Sequence, residues 1–360
     1  MTTSRLSGHV RIVGAGLLGA SIGHALVALG VDVVVHDASK ANLRLAIDYG
    51  AGRAASNTDS PALVVVAVPP DVTAEVVAAE LAEFPNAIVT DVASVKASIY
   101  SELVAAGADV SRYVGSHPLA GRERGGAIAA RADLFIARPW VITSGSAKAR
   151  RAVEDLVLDL GAIPVSLSAE QHDASVALVS HVPQVVATLL ARRLGGAPET
   201  AVSLAGQGLR DTTRIAGSDP ELWVQILGAN ADPVVEILRA YRDDLDTVLA
   251  ALSDPSAPGA RRSMAEVLAG GNAGVARIPG KHGQAAHFSQ LVIMVDDKPG
   301  ELARLLTEIG EAGVNMEDLR LEHSPQAQIG LAEISVLPEV EQRLAKELES
   351  RGWKIVGAFA

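Results

Sequence analysis

Hydrophobic positions along the chain fall into three successive patterns. In the first, short continuous apolar runs alternate with stretches of helical spacing. Val10, Ile12 and Val13 open it, followed by an apolar helix to about Leu29 and a second run from Val31 to Val35. Ala62 to Val68 (A-L-V-V-V-A-V) is apolar throughout and ends at Pro69-Pro70, and Val72 to Leu81 has helical spacing. Further strand-length runs are Ala87 to Thr90, Tyr113-Val114, Trp140 to Thr143 and Ile163 to Leu167. Unbroken apolar runs suit parallel strands covered by helices on both faces, so this alternation predicts a doubly wound α/β sheet over residues 1–167.

At Ser168 the pattern changes. Ser168 and Gln171 have the spacing of a capping box, and one long apolar helix is expected through about Leu194, kinked at Pro183, with His181 and Gln184 flanking the kink. Helices are expected again at Leu222 to Leu227 and from an Asp232-Pro233 start through Leu249. Residues 168–272 therefore read as an all-helical domain with an apolar dimerisation surface. Gly270 to Ala286 is a linker by composition. Beyond it, Leu291 to Val295, the helix face Leu302, Leu305, Leu306, Ile309, the runs Val314 to Glu322 and Ile329 to Val336, a helix at Val340 to Ser350 and a strand at Lys354 to Ala358 give the order βαββαβ. That order predicts a ferredoxin-like unit over residues 287–360.

The first turn carries the clearest chemistry. G-A-G-L-L-G spans Gly14 to Gly19 between the first strand and helix, and Asp37 closes the second strand. Gly14 suits the tight turn, Gly16 lets backbone N–H groups approach a pyrophosphate, and Gly19 lets helix and strand pack closely, as a Rossmann-type dinucleotide site requires. An acid at the end of strand two can bind ribose hydroxyls and repels a 2′-phosphate, so Asp37 favours NAD over NADP. Ligands of such sheets sit at the carboxyl ends of the strands. The cofactor-facing positions are then Gly14, Ala15, Gly16, Leu17, Leu18, Gly19 and Asp37, with Val68, Pro69 and Asp91 on the next two loops.

Composition narrows the rest. The 360 residues contain no cysteine, which excludes disulfides, thiolate nucleophiles and Cys-ligated metal. No H-E-x-x-H or clustered carboxylate spacing suggests a metal. The formal net charge is −11, without a basic stripe, which argues against nucleic acid. No unbroken apolar stretch reaches the roughly 18 residues of a bilayer span, so a cytoplasmic protein with no membrane partner is expected.

His117, in S-H-P-L-A-G, precedes a proline that holds the backbone extended, so its ring can project at a strand end. It can take the proton of a hydroxyl being oxidised or merely hydrogen-bond its own loop. Ser94, in D-V-A-S-V-K, can bond the same hydroxyl or orient His117, or can be a helix N-cap. In G-L-R-D-T-T-R-I-A, Arg214 can hold an anionic substrate with Asp211 behind it, or the two can form a surface ion pair. His172, His282 and His287 read as ordinary solvent or linker histidines.

G-A-G-L-L-G-A-S, D-V-A-S-V-K, S-H-P-L-A-G-R-E, S-H-V-P-Q and G-L-R-D-T-T-R-I-A, in this order over residues 9–270, resemble the prephenate/arogenate dehydrogenase family of tyrosine biosynthesis. D-D-K-P-G-E-L (Asp296 to Leu302) and G-V-N (Gly313 to Asn315) resemble an ACT domain, a small module that binds amino acids. The resemblance implies an NAD-dependent oxidative decarboxylation with His117 as base, Ser94 orienting it and the hydroxyl, and Arg214 and Asp211 on a substrate carboxylate. It places Glu123 at the pocket, beside Arg122, which departs from the family's small polar residue. His181 matches the first histidine of the family's H-x-P-H stretch, and Gln184 replaces the second, which leaves prephenate or arogenate open as substrate. A homodimer and a tyrosine or phenylalanine effector contacting Gly300, Leu302 and Asn315 are also implied. An NAD-binding sensor without catalysis is disfavoured by the joint presence of Ser94, His117 and Arg214. A β-hydroxyacid dehydrogenase usually employs a lysine in the helical region, and Ala169 to Ala251 contain none.

Overall fold

The computed structural model describes residues 4–121, 126–278, 288–323 and 329–359. Glu123, with Arg122, and both His282 and His287 lie outside the described residues. The chain forms two compact units, Met1–Gly195 with Thr213–Ala240, and Gly196–Thr212 with Tyr241–Ala360.

The first unit is built on an eight-stranded sheet in the order β3-β2-β1-β4-β5-β6-β7-β8. The strands are β1 (Val10–Val13), β2 (Val33–His36), β3 (Arg53–Ala54), β4 (Leu63–Val66), β5 (Ile88–Asp91), β6 (Tyr113–Pro118), β7 (Pro139–Ile142) and β8 (Ile163–Ser166). All neighbours run parallel except β6 and β7. Helices α1 (Leu17–Ala28), α2 (Lys40–Asp48), α3 (Pro70–Glu83), α4 (Ala97–Ala105) and α5 (Ala147–Asp159) cover it. Alternate side chains of β4 enter different cores, Leu63 and Val65 one, Val64 and Val66 the other. A strand of period two needs apolar residues at every position when both its faces are covered, which is why this run is unbroken. Beneath the sheet's N-terminal half, Arg11 of β1 forks onto Glu80 of α3 at 2.8 and 3.0 Å in a buried pair.

Three local readings change. β6 continues through Pro118, so His117 lies within the strand's end and pairs with Val141 of β7. The helix expected from Ser168 starts with the capping box but is not continuous. It comprises α6 (Ala169–Val176), a π-helical turn (Ala177–His181) and α7 (Val182–Leu194). Pro183 removes a backbone donor and its ring collides with the preceding turn, and the widened turn absorbs both. It also brings His181 and Gln184 to the buried side together, 1% and 5% exposed. By length and composition Ala169–Leu194 could cross a bilayer, which was not expected from the sequence; it also buries the polar side chains His172, Asp173 and His181 against the rest of the first unit. α10 (Pro220–Ala229) appears as expected, whereas α11 (Ala231–Ser253) starts ahead of Asp232, which therefore sits in its first turn rather than capping it.

The second unit holds α8 (Glu199–Val202), most of α9 (Gln207–Thr213) and α12 (Ala260–Val275). α12 carries Gly270, Gly271 and Gly274, so the glycine-rich stretch read as linker begins as helix. An antiparallel sheet follows, in the order β10-β11-β9-β12. Its elements are β9 (Ser289–Asp296), α13 (Glu301–Glu311), β10 (Asp318–His323), β11 (Ile329–Val336), α14 (Pro338–Ser350) and β12 (Lys354–Phe359), the expected βαββαβ succession. Gly300, at φ +94°, precedes α13. Asp296 at the end of β9 pairs with Ile329, while Asp318 at the start of β10 pairs with Ser335. Gly300 and Asn315 thus lie at opposite ends of one sheet.

Candidate functional site

The parallel order puts the carboxyl ends of β1, β4, β5 and β6 on one edge, and the glycine turn, Val68-Pro69, Ser94 and His117 all lie there. Gly14 (φ +102°) could not carry a side chain, because a Cβ would stand 2.3 Å from the Ala67 carbonyl oxygen. At Gly19 it would stand 1.9 Å from the Gly14 oxygen, whereas at Gly16 nothing lies within 4 Å. The N–H groups of Gly16, Leu17 and Leu18 find no acceptor among the described residues. Open space over unsatisfied donors at a helix N-terminus fits a dinucleotide's pyrophosphate. Asp37 accepts from Ala15 N and Ser39 N, both at 2.7 Å. It thereby braces the turn, and each oxygen keeps a lone pair for a ribose hydroxyl. Gly19→Ala is expected to destabilise the protein by about 1–3 kcal/mol, read as a fall in the urea midpoint. Gly16→Ala should leave that midpoint unchanged and weaken dinucleotide binding in titration.

Behind the edge lies a buried polar cluster. Lys96 Nζ bonds Asp91 Oδ1 and donates to the Ser116 carbonyl at 2.8 Å. Tyr113 OH donates to Asp91 Oδ2 at 2.6 Å and Ala93 N to Oδ1 at 2.8 Å. Asp91 and Lys96 are 0% and 1% exposed. Burial pushes the Lys96 ammonium below its ordinary range, against the pull of Asp91, and raises the Tyr113 hydroxyl, with Asp91 adding to it. The Asp91 side chain is thus enclosed and ties the β5 loop to β6. This corrects its assignment as a cofactor contact.

A second chain of polar groups reaches His117. Its Nδ1 lies 2.8 Å from Nε2 of His172, whose own Nδ1 lies 2.7 Å from Oδ1 of Asp173. Asp173 also takes Lys96 N and Ala97 N at 2.9 and 2.8 Å, capping α4 from α6. Asn230 donates to the Asp173 carbonyl at 2.8 Å and lies 3.0 Å from His181 Nδ1, while His181 meets Trp223 edge-on at 5.9 Å. The His117 ring is surrounded by protein but keeps part of its surface open. Burial, reinforced by His172, Lys96 and His181, holds its pKa well below 6.5. His181 is lowered to about 4, chiefly by burial.

The structure does not join Ser94 to His117. Ser94 is half-buried and hydrogen-bonds none of the described residues, and the ring's hydrogen-bond partner is His172. His172, expected in solvent, is 0% exposed. Arg214 is exposed on a 3-10 turn (Arg214–Gly217) that packs on α7 within the first unit. Asp211 belongs to the second, where it accepts from Gln207 at 2.8 Å. Leu302 is half-buried in the first turn of α13, and Asn315 is exposed. Lys96, Tyr113, His172, Asp173 and Asn230 were not anticipated from the sequence.

Two family profiles match the chain, "Prephenate dehydrogenase, nucleotide-binding domain" over residues 22–163 and "Prephenate dehydrogenase, dimerization domain" over residues 168–266. The probable prephenate dehydrogenase NovF of Streptomyces niveus is 39% identical over 354 residues, covering 95% of this chain and 98% of that protein. Prephenate dehydrogenase from A. aeolicus, solved with hydroxyphenyl propionate and NAD+, superposes with a TM-score of 0.64 at 27% identity, over 73% of this chain and 97% of that one. Synechocystis arogenate dehydrogenase gives a TM-score of 0.61 at 25% identity, over 74% and 99%. With a glycine turn, a strand-end histidine and matches along nearly its whole length, the chain belongs to the prephenate dehydrogenase family.

Proposed function

We propose that this protein is an NAD-dependent prephenate dehydrogenase that converts prephenate to 4-hydroxyphenylpyruvate. The observation that carries this reading is His117, an imidazole kept neutral at the same sheet edge as the dinucleotide turn. When bound, NAD supplies a hydride acceptor. His117 takes the hydroxyl proton as the ring carbon loses hydride. The bond from ring to carboxylate breaks, its electron pair enters the ring as CO2 departs, and the product phenolate retakes the proton. Aromatisation drives the sequence. Ser94 is assigned to the substrate hydroxyl and Arg214 to a substrate carboxylate, and Asp211 and Glu123 are carried over from the family motifs as further substrate-binding residues. Gln184, in place of the family's second histidine, is assigned to the side chain in which prephenate and arogenate differ, with His181 as a further substrate-binding residue. Arogenate is the alternative substrate, favoured by the arogenate dehydrogenase among the structural relatives.

The division of the chain into 1–167, 168–272 and 287–360 goes with this reading, as do a cytoplasmic location and a homodimer. The dimer is supported by the matched dimerisation profile and by exposed Leu189, Leu190 and Val235. The βαββαβ unit is then an ACT domain for tyrosine or phenylalanine. Since Gly300 and Asn315 lie at opposite ends of one sheet, a pocket using both takes them from two copies.

NADH formation with prephenate and arogenate in parallel tests the proposal, and turnover of neither alongside tight NAD binding overturns it. A shift of activity or Tm by tyrosine or phenylalanine tests the effector. The pH profile is a separate expectation. A depressed histidine pKa keeps the base form as pH falls, so activity is lost only as pH drops through the lowered His117 value. The acid limb of kcat/KM should lie below pH 6.5; a limb above it would show that the ring is not desolvated.

A further inference from the structure

The proposed mechanism uses one imidazole, yet two polar side chains are buried directly behind it. His172 is 0% exposed and Asp173 4%. Their heavy-atom contacts constrain where the hydrogens of the chain lie. Asp173 Oδ1 faces Lys96 N and Oδ2 faces Ala97 N. A backbone N–H can only donate, so both oxygens accept, an arrangement that suits a carboxylate at a helix N-terminus. Facing a carboxylate oxygen at 2.7 Å, the His172 Nδ1 carries a hydrogen. In the neutral ring Nε2 is then bare. It stands 2.8 Å from His117 Nδ1, so the hydrogen between the rings belongs to His117, whose remaining nitrogen, Nε2, is left as an acceptor. A neutral imidazole without this constraint interchanges two tautomers, one of which has no acceptor at Nε2.

We propose that His172 and Asp173 are positioning residues for the base: a buried Asp173–His172–His117 chain, anchored on the first N–H groups of α4, holds His117 as the tautomer whose acceptor is Nε2. The inference rests on the reading of His117 as the base and deepens it. When the hydroxyl proton arrives at Nε2, the His117 imidazolium still donates Nδ1–H to His172, which still donates to Asp173. The carboxylate thus stabilises the cation through an intervening ring, and no proton passes beyond His117 before the product oxygen retakes it.

Two variants separate positioning from packing. His172→Gln can present a carbonyl oxygen near the place of Nε2, whereas His172→Leu fills the space with no acceptor. His172→Leu should lower kcat by about 100-fold or more with KM for prephenate within about threefold, and His172→Gln should retain kcat within about tenfold of wild type. Equal kcat in a natively melting Leu variant and the Gln variant would overturn the proposal. A second measurement needs neither turnover nor a folded variant. Imidazole 15N spectra of the wild-type protein should show His117 and His172 as neutral rings protonated at Nδ1, and a His117 proton on Nε2 would overturn the proposal. If wild type turned over neither prephenate nor arogenate, the base reading would fail while the spectrum still decided the tautomer.

Discussion

His117→Asn should lower kcat for prephenate by about a thousandfold, within the range by which a positioned base accelerates proton transfer. Asparagine keeps a short polar side chain at the end of β6, where the backbone pairs with β7 and would hold its course. It lacks a nitrogen lone pair that can accept a proton, because its amide nitrogen is not basic and its oxygen is a far weaker base. NAD affinity, which depends on the turn at Gly14 to Gly19, should stay within about threefold, and KM should move less than kcat. Steady-state kinetics with isothermal titration of NAD make this separation. Retention of more than a tenth of wild-type kcat would remove His117 from the role of base.

The largest stability effect is expected at Lys96. Lys96→Ala leaves the Asp91 carboxylate wholly buried with two neutral donors, Tyr113 OH and Ala93 N, and no cation. Breaking a buried pair by removing one partner costs about 3–5 kcal/mol, most of it the uncompensated charge. The Asp91→Asn, Lys96→Met double variant removes both charges at similar volume and should recover more than half of that loss. Urea unfolding of the three variants and wild type gives the comparison. A Lys96→Ala cost below about 1 kcal/mol would mean that water reaches Asp91 when lysine is gone.

Much of the sheet was legible because burial on both faces forces apolar residues at every strand position, a pattern that Leu63 to Val66 shows without interruption. The glycine turn was legible because Gly14 and Gly19 meet backbone oxygens that no Cβ could clear. The polar chain behind His117 was harder to see, because His172 reaches it across 55 positions and Lys96 meets Asp173 across 77. One local signal was available. Asp173, Val176 and Ala177 share a face of one helical stretch, so a His-Asp pair beginning that apolar face had to find buried partners. The π turn was harder still: Pro183 announces a disturbance of the helix, but not whether it bends or gains a residue.

The reversal between β6 and β7 has an evolutionary consequence. Because β7 runs antiparallel to β6, with Pro118 paired to Trp140 and Leu119 N bonded to the Pro139 carbonyl at 2.9 Å, the connection leaves and re-enters the sheet on the ligand edge. A parallel crossover would have to spend most of its length returning to the opposite edge. The intervening segment is itself tied to the core, since Ala127 and Phe135 are buried in it and Arg131 N donates to Ser21 of α1 at 3.0 Å. Its core-facing positions are therefore held by packing, and variation there is confined to residues outside them.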